Sequence, residues 1–177
     1  HDHADHVRCA GIFQRKFGLP IYLTERTYQA ARGMIGLVSD VRRFTAGERI
    51  EIGDAVVQTI RTPHDGVDPV CFVVAHNGKK LAVLTDLGHP FPALAEALQE
   101  VDAAYLESNY DREMLISGSY PEVLKQRIMG AGGHLSNDEA ADLARRHLHG
   151  RCQWLALAHL SEENNRPEIA LATHRRC

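Results

Sequence analysis

Several features that would place the chain in a specialised class are missing from its sequence. No apolar run approaches the roughly 18 residues of a membrane-spanning helix, and no basic, apolar leader with a cleavage site is recognisable. The four cysteines are scattered without a CxxC pair, so the sequence predicts no disulfide framework: Cys9, Cys71, Cys152 and Cys177. We therefore expect a protein of the reducing cytoplasm with no membrane partner.

The sequence also lacks a strong excess of charge of either sign. Its net charge is −3 and its pI is about 6.4, so no global basic field attracts nucleic acid or membranes. This argues only mildly against a nucleic-acid substrate, because a local site can bind one without such a field. The 44% hydrophobic and 24% charged residues are ordinary for a globular protein, and residues 1–177 suit a single domain.

Histidine is the residue type in excess, with 11 in the chain and three in the opening segment HDHADH. His1 and His3 are two positions apart, so in an extended loop their side chains point to the same side. Asp5 and His6 follow and face elsewhere. Taken alone, the segment fits a metal site and a solvated polar end equally well, so the rest of the sequence has to decide.

The order of the predicted elements favours an α+β fold. The spacing of Ala10, Phe13 and Phe17 predicts a short amphipathic helix that Gly18 closes. Residues 41–84 then contain successive strand patterns, the last two joined by an Asn-Gly turn. Helix and strand patterns alternate after them, which indicates helices layered on sheets.

Metal-ligand side chains recur where predicted strands end. His64, Asp86 and His159 each follow a run that should be buried, and rigid elements present ligands at such sheet edges. Each has a plainer alternative, because His64 could be a hydrogen-bonded surface residue, Asp86 a turn-former and His159 a cap. Their joint occurrence favours a site with these donors: His1, His3, Asp5, His6, His64, Asp86 and His159.

These seven nitrogen and oxygen donors suit two borderline divalent ions, each with room for water. A carboxylate such as Asp86 can bridge both ions through its two oxygens. A water between metals about 3.5–4 Å apart loses its proton near neutral pH and becomes a nucleophile. The sequence therefore predicts a two-metal hydrolytic site.

The stretch MGAGGHLSNDEAADL has features of an anion-binding segment. Its glycines form a loop whose N–H groups can face an anion, and Ser136 with Glu139 predicts a capping box at a helix start that favours phosphate. His134 could donate to a phosphate oxygen or to the leaving group. The spacing leaves open that Ser136 only caps and His134 only packs. Lys125 and Arg127 are weaker candidates, because such charges commonly form a solvated helix face.

Several stretches resemble a known family. The first six residues match the HxHxDH signature of the metallo-β-lactamase superfamily, and His64, Asp86 and His159 follow in the order of its remaining ligands. LESNYDREMLISGSYPEVLKQRI, GGHLSN and AHLSEENNRPEIA are similar to the YycJ/WalJ-type group of bacterial nucleases, which are related to ribonuclease Z and ribonuclease J. The resemblance covers nearly the whole chain.

This resemblance implies a four-layer αββα sandwich and a phosphodiesterase, in particular a 5′ exonuclease on DNA rather than RNA. It implies two zinc or manganese ions, one bound by His1, His3 and His64. The other would be bound by Asp5, His6 and His159, with Asp86 bridging the two. It further implies catalytic roles for Asp5, Asp86 and His134, and contacts to the substrate phosphate by His134, Ser136 and Asn137.

The chain also departs from the pattern of that group. Its members carry strands before HxHxDH and further sheet after the final helix, so we expect an internal piece of a longer protein. Part of the first sheet would then be missing, leaving a sticky edge and a mobile His1. Two alternatives remain: a thioester or small-ester hydrolase of the glyoxalase II type, against which GHLSN and HLSEENN speak, and a fragment that catalyses nothing. A β-lactamase is disfavoured, because its common zinc enzymes carry cysteine where Asp86 stands.

Overall fold

A computed structural model describes residues 1–176, so Cys177 lies outside the described part. The helices are α1 (Ala4–Val7), α2 (Ala10–Phe17), α3 (Glu25–Ile35), α4 (Pro92–Glu100), α5 (Arg112–Ser117), α6 (Glu122–Met129), α7 (Asn137–His147) and α8 (Pro167–Arg176). The strands are β1 (Ile21–Leu23), β2 (Val41–Arg43), β3 (Arg49–Ile52), β4 (Ala55–Arg61), β5 (Val70–His76), β6 (Lys79–Leu84), β7 (Ala103–Glu107) and β8 (Trp154–Ala158). Among these residues, no helix has the length and apolar character that a bilayer crossing requires.

The main sheet has six strands in the order β3-β4-β5-β6-β7-β8. Strands β3 to β6 are antiparallel neighbours, and the predicted turn between β5 and β6 is confirmed, with positive φ at Asn77 (47°) and Gly78 (72°). Strands β6, β7 and β8 run parallel, and helices connect them as parallel pairing requires. The carboxyl ends of these three strands therefore meet at one edge.

One face of this sheet forms the core. Its inward side chains pack with Leu94 and Leu98 of α4 and Leu143 of α7, and they are Cys71, Val73, Ala82, Leu84, Ala104 and Leu106. Period-two alternation places the next residues of the same strands on the opposite face. These are also apolar, and two of them, Tyr105 and Trp154, are 41% and 46% exposed. Both faces are thus built for burial, as in a sandwich.

A second, two-stranded parallel sheet joins β1 and β2. It packs beside a small core of Val7, Ala31 and Ile35, which links α1 to α3. Helix α3 begins at Thr24, whose side chain accepts a hydrogen bond from the N–H of Thr27. The α+β class is confirmed.

The helix predicted from Ala10, Phe13 and Phe17 is confirmed, and Gly18 closes it in the left-handed conformation (φ 65°). The face of α2 that packs against the protein is not its apolar face. Phe13 and Phe17 are 56% and 55% exposed, whereas Gly11 and Gln14 are buried. A Cβ at position 11 would overlap the carbonyl of Ile35 in α3. Close helix–helix approach at the glycine therefore decides which side of α2 faces inward.

Candidate metal centre

The carboxyl edge of the parallel strands presents three of the side chains that form the site. Asp86 follows β6, Glu107 ends β7 and His159 follows β8. Asp86 and His159 both have positive φ, 60° and 54°, which is uncommon outside glycine. Such a backbone costs on the order of 1 kcal/mol at each residue and is typically retained at functional sites.

The opening segment lies across this edge as a loop that leads into α1. The carboxylate of Asp2 accepts a hydrogen bond of 2.8 Å from the N–H of Val67, which ties the segment to the loop after β4. In that loop Gly66 lies against the ring of His1, and a Cβ there would collide with it. His64 belongs to the same loop. The first residues are therefore fitted against the remainder of the site.

Asp86 lies at the centre of the cluster and is 4% exposed. Its Oδ2 is 3.2 Å from Nε2 of His6, and its Oδ1 is 3.5, 3.7 and 3.8 Å from Nε2 of His64, His1 and His159. Burial alone would raise the pKa of Asp86, but the hydrogen bond from His6 and the charges of His159 and His6 lower it below its ordinary value. The carboxylate is ionised at neutral pH.

All seven donors predicted from the sequence are brought together, and six of them form two groups of three. The first contains His1, His3 and His64, and the second contains Asp5, His6 and His159. Within each group the donor atoms lie within 4.8 Å of one another. Asp86 also forms such a group with His1 and His6, one member from each set. Asp86 therefore lies between the two sets.

Two histidines have one ring nitrogen fixed by the protein. Nδ1 of His64 lies 2.9 Å from the carbonyl oxygen of Gly133, and Nδ1 of His159 lies 2.8 Å from a carboxylate oxygen of Glu107. Since those oxygens only accept, Nδ1 carries a proton in each ring, and Nε2 is directed towards Asp86. Burial lowers the pKa of His64 and opposes protonation of His159, but Glu107 and Asp86 raise the pKa of His159 to about 9.

The donor geometry fits divalent cations. A tetrahedral ion with bonds of about 2.0–2.1 Å holds its ligands about 3.3 Å apart. The donor pairs around Asp86 and between Asp5 and His6 are 3.2–3.8 Å apart. Nε2 of His1 is buried without a hydrogen-bond partner in residues 1–176, a costly state unless another ligand binds it. Imidazole and carboxylate donors suit zinc and manganese.

Glu107 is one of the site residues that the sequence did not predict. It is fully buried, and besides His159 its carboxylate binds Nδ1 of His134 at 3.2 Å. It also accepts hydrogen bonds from three backbone N–H groups, those of Asp86, Leu87 and Leu135. Burial would raise its pKa, but the bonds from His134 and His159 lower it. The signal was present, because Glu107 lies at the end of the strand-like run AAYLES, much as Asp86 and His159 lie at the ends of theirs.

His134 lies beside the donors without being one of the seven. Its ring centroid is 5.0 Å from that of His64 and 5.2 Å from that of His159. Because Nδ1 is engaged by Glu107, Nε2 remains for a partner in the cleft that it lines. The structure therefore leaves the predicted phosphate contact of His134 geometrically open.

The other two predicted phosphate contacts need correction. Ser136 is fully buried and forms the predicted capping box with Glu139. Asn137 is 1% exposed, and its amide is bound to Asn165 and to the hydroxyl of Ser108. Neither side chain lines the cleft. Both serve the start of α7, because each polar atom is already bound inside the protein.

The glycine loop before α7 also differs from the prediction that its N–H groups face an anion. The N–H groups of Gly133 and His134 donate to the carbonyls of Gly130 and Ile128 at 2.8 and 2.9 Å. The group that the loop turns towards the site is the carbonyl of Gly133, which holds His64. The loop therefore orients His64 through the carbonyl oxygen of Gly133.

A cleft of about 510 Å³ opens over the two donor groups. Its floor carries Asp65 and five of the seven predicted donors: His3, Asp5, His64, Asp86 and His159. Its opposite side is formed by α6 and by Tyr120, two positions before that helix. Asp65 lies 3.6 Å from Nε2 of both His3 and His64 and also binds Arg127. Sequence reasoning did not select Asp65 or Tyr120.

Comparison with known proteins agrees with this geometry. A family profile described as a β-lactamase superfamily domain matches residues 1–152. The chain is 34% identical over 172 residues to an exodeoxyribonuclease YycJ of Bacillus anthracis, covering 96% of this chain and 65% of that protein. It is 36% identical over 177 residues to an exodeoxyribonuclease WalJ of Streptococcus pneumoniae, covering 98% of this chain and 66% of that protein. The chain thus spans slightly less than two thirds of these relatives.

Among solved structures, the metallo-β-lactamase fold protein YhfI of Bacillus subtilis superposes with a TM-score of 0.74. The match covers 99% of this chain and 68% of that one, at 16% sequence identity. At this identity the likeness concerns the fold alone, and it supports the sandwich architecture.

Proposed function

The chain belongs to the β-lactamase superfamily, and from this premise we propose that it carries the active site of a metal-dependent phosphodiesterase that degrades DNA from a 5′ end. Two curated relatives of 34–36% identity are named exodeoxyribonucleases, which supports DNA as the substrate class. The cleft is open along one side of the donors and has room for a strand end.

The observation that carries the proposal is the division of the donors into two groups that share Asp86. His1, His3 and His64 would hold one ion, and Asp5, His6 and His159 the other. Two bound divalent ions would supply an activated water and neutralise charge on the phosphate. Asp86 is buried and ionised, so it would keep the two sets together.

The remaining polar groups of the site would transfer a proton and orient the histidine rings. Glu107 holds Nδ1 of both His134 and His159, so both rings present Nε2 to the cleft. His134 would deliver a proton from Nε2 to the oxygen that leaves the phosphorus, while Glu107 would stabilise the charged ring. The backbone carbonyl of Gly133 does the equivalent orienting work for His64.

The proposal is tested by DNA degradation with and without chelation. The purified protein should release nucleotides from DNA, and exhaustive EDTA treatment should stop the release until Mn²⁺ or Zn²⁺ is restored. Asp86→Ala should abolish the activity, whereas the exposed Asp142→Ala should retain it. A thioester assayed in parallel distinguishes the glyoxalase-type alternative. Undiminished DNA turnover after complete metal removal contradicts the proposal, and a comparison of 5′-blocked with 3′-blocked DNA tests the polarity.

A further inference from the structure

We propose that the α6 side of the cleft binds the nucleotide next to the cleaved phosphodiester, with Arg127 on its phosphate and Tyr120 against its base. This rests on the proposed function and specifies its substrate as an unpaired strand end. The subsite is separate from the seven donors and is built from one face of α6 and from Tyr120, two positions before that helix.

Arg127 supplies the positive charge of this subsite. It is the one lysine or arginine that lines the cleft in residues 1–176. Its Nε donates to Asp65 at 2.5 Å, and within the same residues this is the only hydrogen bond of the guanidinium. The two terminal amino groups are thus available in the fork geometry that binds phosphate oxygens.

Asp65 fixes where that charge lies. One of its oxygens holds Arg127, and the other is 3.6 Å from Nε2 of both His3 and His64. Asp65 thus lies between Arg127 and the first donor group. This separation suits a phosphate that neighbours the cleaved one on the same strand. Its side chain is 56% exposed, so the ion pair contributes little to stability, and a ligand explains its placement better.

Tyr120 and Leu124 complete the subsite. Tyr120 is the only Phe, Tyr or Trp that lines the cleft in the described chain, and it lies four positions before Leu124 on the same side as Arg127. Both side chains are half-buried. An aromatic ring beside a phosphate-binding cation is the combination with which proteins bind single-stranded nucleic acid, through stacking on an unpaired base.

The first test concerns Arg127 in the metal-loaded protein. Arg127→Ala should raise KM for a single-stranded oligonucleotide about tenfold, the loss expected for one charged hydrogen-bonded contact. The slope of log KM against log salt should fall by about 0.7, the value for one phosphate contact on a single strand. Cleavage of bis-p-nitrophenyl phosphate, which has no second phosphate, should change much less than cleavage of the oligonucleotide. Fluorescence anisotropy of the labelled oligonucleotide should show the same loss of affinity.

The matched control is Arg145→Ala, because Arg145 is also an exposed arginine paired with an aspartate, but it lies on α7 away from the cleft. It should leave KM and the salt slope as in the wild type. Equal effects of the two substitutions, or no effect of Arg127→Ala on DNA, overturn the phosphate subsite. If the wild-type protein cleaves no nucleic acid, the proposed function itself fails, and the subsite fails with it.

The second test concerns the base. Tyr120→Ala should weaken binding of the oligonucleotide about tenfold, and Tyr120→Phe should retain binding because the ring is kept. Oligonucleotides that lack the base at either of the two nucleotides flanking the cleaved bond provide the decisive probe. For one of them the effect of Tyr120→Ala should disappear. If the substitution weakens binding of both abasic substrates as much as of the intact strand, Tyr120 does not contact a base.

Discussion

At the scale of single residues, Glu107 connects the backbone of the site to its side chains. One carboxylate oxygen accepts from the N–H groups of Leu87 and Leu135, and the other accepts from Asp86, His134 and His159. Both oxygens of Glu107 therefore act only as hydrogen-bond acceptors. An ionised carboxylate is the side chain that satisfies this arrangement, because it accepts at both positions.

Glu107→Gln should therefore weaken the site although it keeps the shape of the side chain. The new amide NH₂ would face N–H donors at either position, so His159 loses its orienting partner or a backbone N–H stays unpaired. We expect metal affinity to fall about 10–100-fold, measured by isothermal titration. Glu100→Gln, an exposed carboxylate paired with Lys80, is the control and should bind metal as the wild type does. If Glu107→Gln binds metal as tightly as the wild type, the Glu107 carboxylate is dispensable for metal binding.

His134→Ala should separate substrate handling from metal binding. Its ring contacts Glu107 and lies in a further possible metal group with Asp86, Glu107 and His159, but it belongs to neither of the two groups described above, so the metal content should stay near that of the wild type. DNA cleavage should slow by about 10²–10³-fold, as expected for a lost proton donor or charge-stabilising group. A small activated phosphodiester should lose less, because its leaving group needs little protonation. Loss of a metal ion from this variant would instead make His134 a ligand.

At the scale of elements, the sequence pattern predicts the strands and helices well because their local signals are strong. The Asn-Gly turn and the Ser136–Glu139 capping box both occur as predicted. The strand-end rule located Asp86 and His159, and Glu107 obeys the same rule. Local sequence patterns do not encode tertiary contacts. The buried face of α2 and the burial of Asn137 depend on such contacts and therefore could not be predicted.

Gly133→Ala tests the role of the loop before α7. An added Cβ would overlap the carbonyl of Ile128, so the loop must shift, and the carbonyl that holds His64 shifts with it. We expect a lower melting temperature and weaker metal binding. Gly33→Ala is the control, since this helical glycine has open space around it and alanine should be neutral or stabilising by up to about 1 kcal/mol. Equal melting temperature and metal affinity in the two variants would show that this loop does not position His64.

At the scale of the whole molecule, the main sheet is apolar on both faces but covered on one. Tyr105 and Trp154 lie on the open face, their rings in edge contact with centroids 4.9 Å apart. In an αββα sandwich this face packs against the other sheet, of which the described residues contain β1 and β2. A large exposed apolar face is a site of association.

Trp154 reports on this face, because it is the only tryptophan of the sequence. In a protein of these 177 residues, acrylamide should quench its fluorescence readily, because the side chain is 46% exposed. If residues beyond this chain complete the second sheet in a longer protein, quenching there should be much weaker and the emission blue-shifted. Equal quenching in both proteins would show that the face stays open.

The central claim is that the seven donors hold two ions that Asp86 joins. Native mass spectrometry of the metal-loaded protein, with elemental analysis of the same sample, tests it most directly. We expect two divalent ions per chain in the wild type and a loss of bound metal in Asp86→Ala, with Asp142→Ala unchanged. A wild-type protein that binds one ion or none at saturating metal, or an Asp86→Ala variant that keeps two, would contradict it.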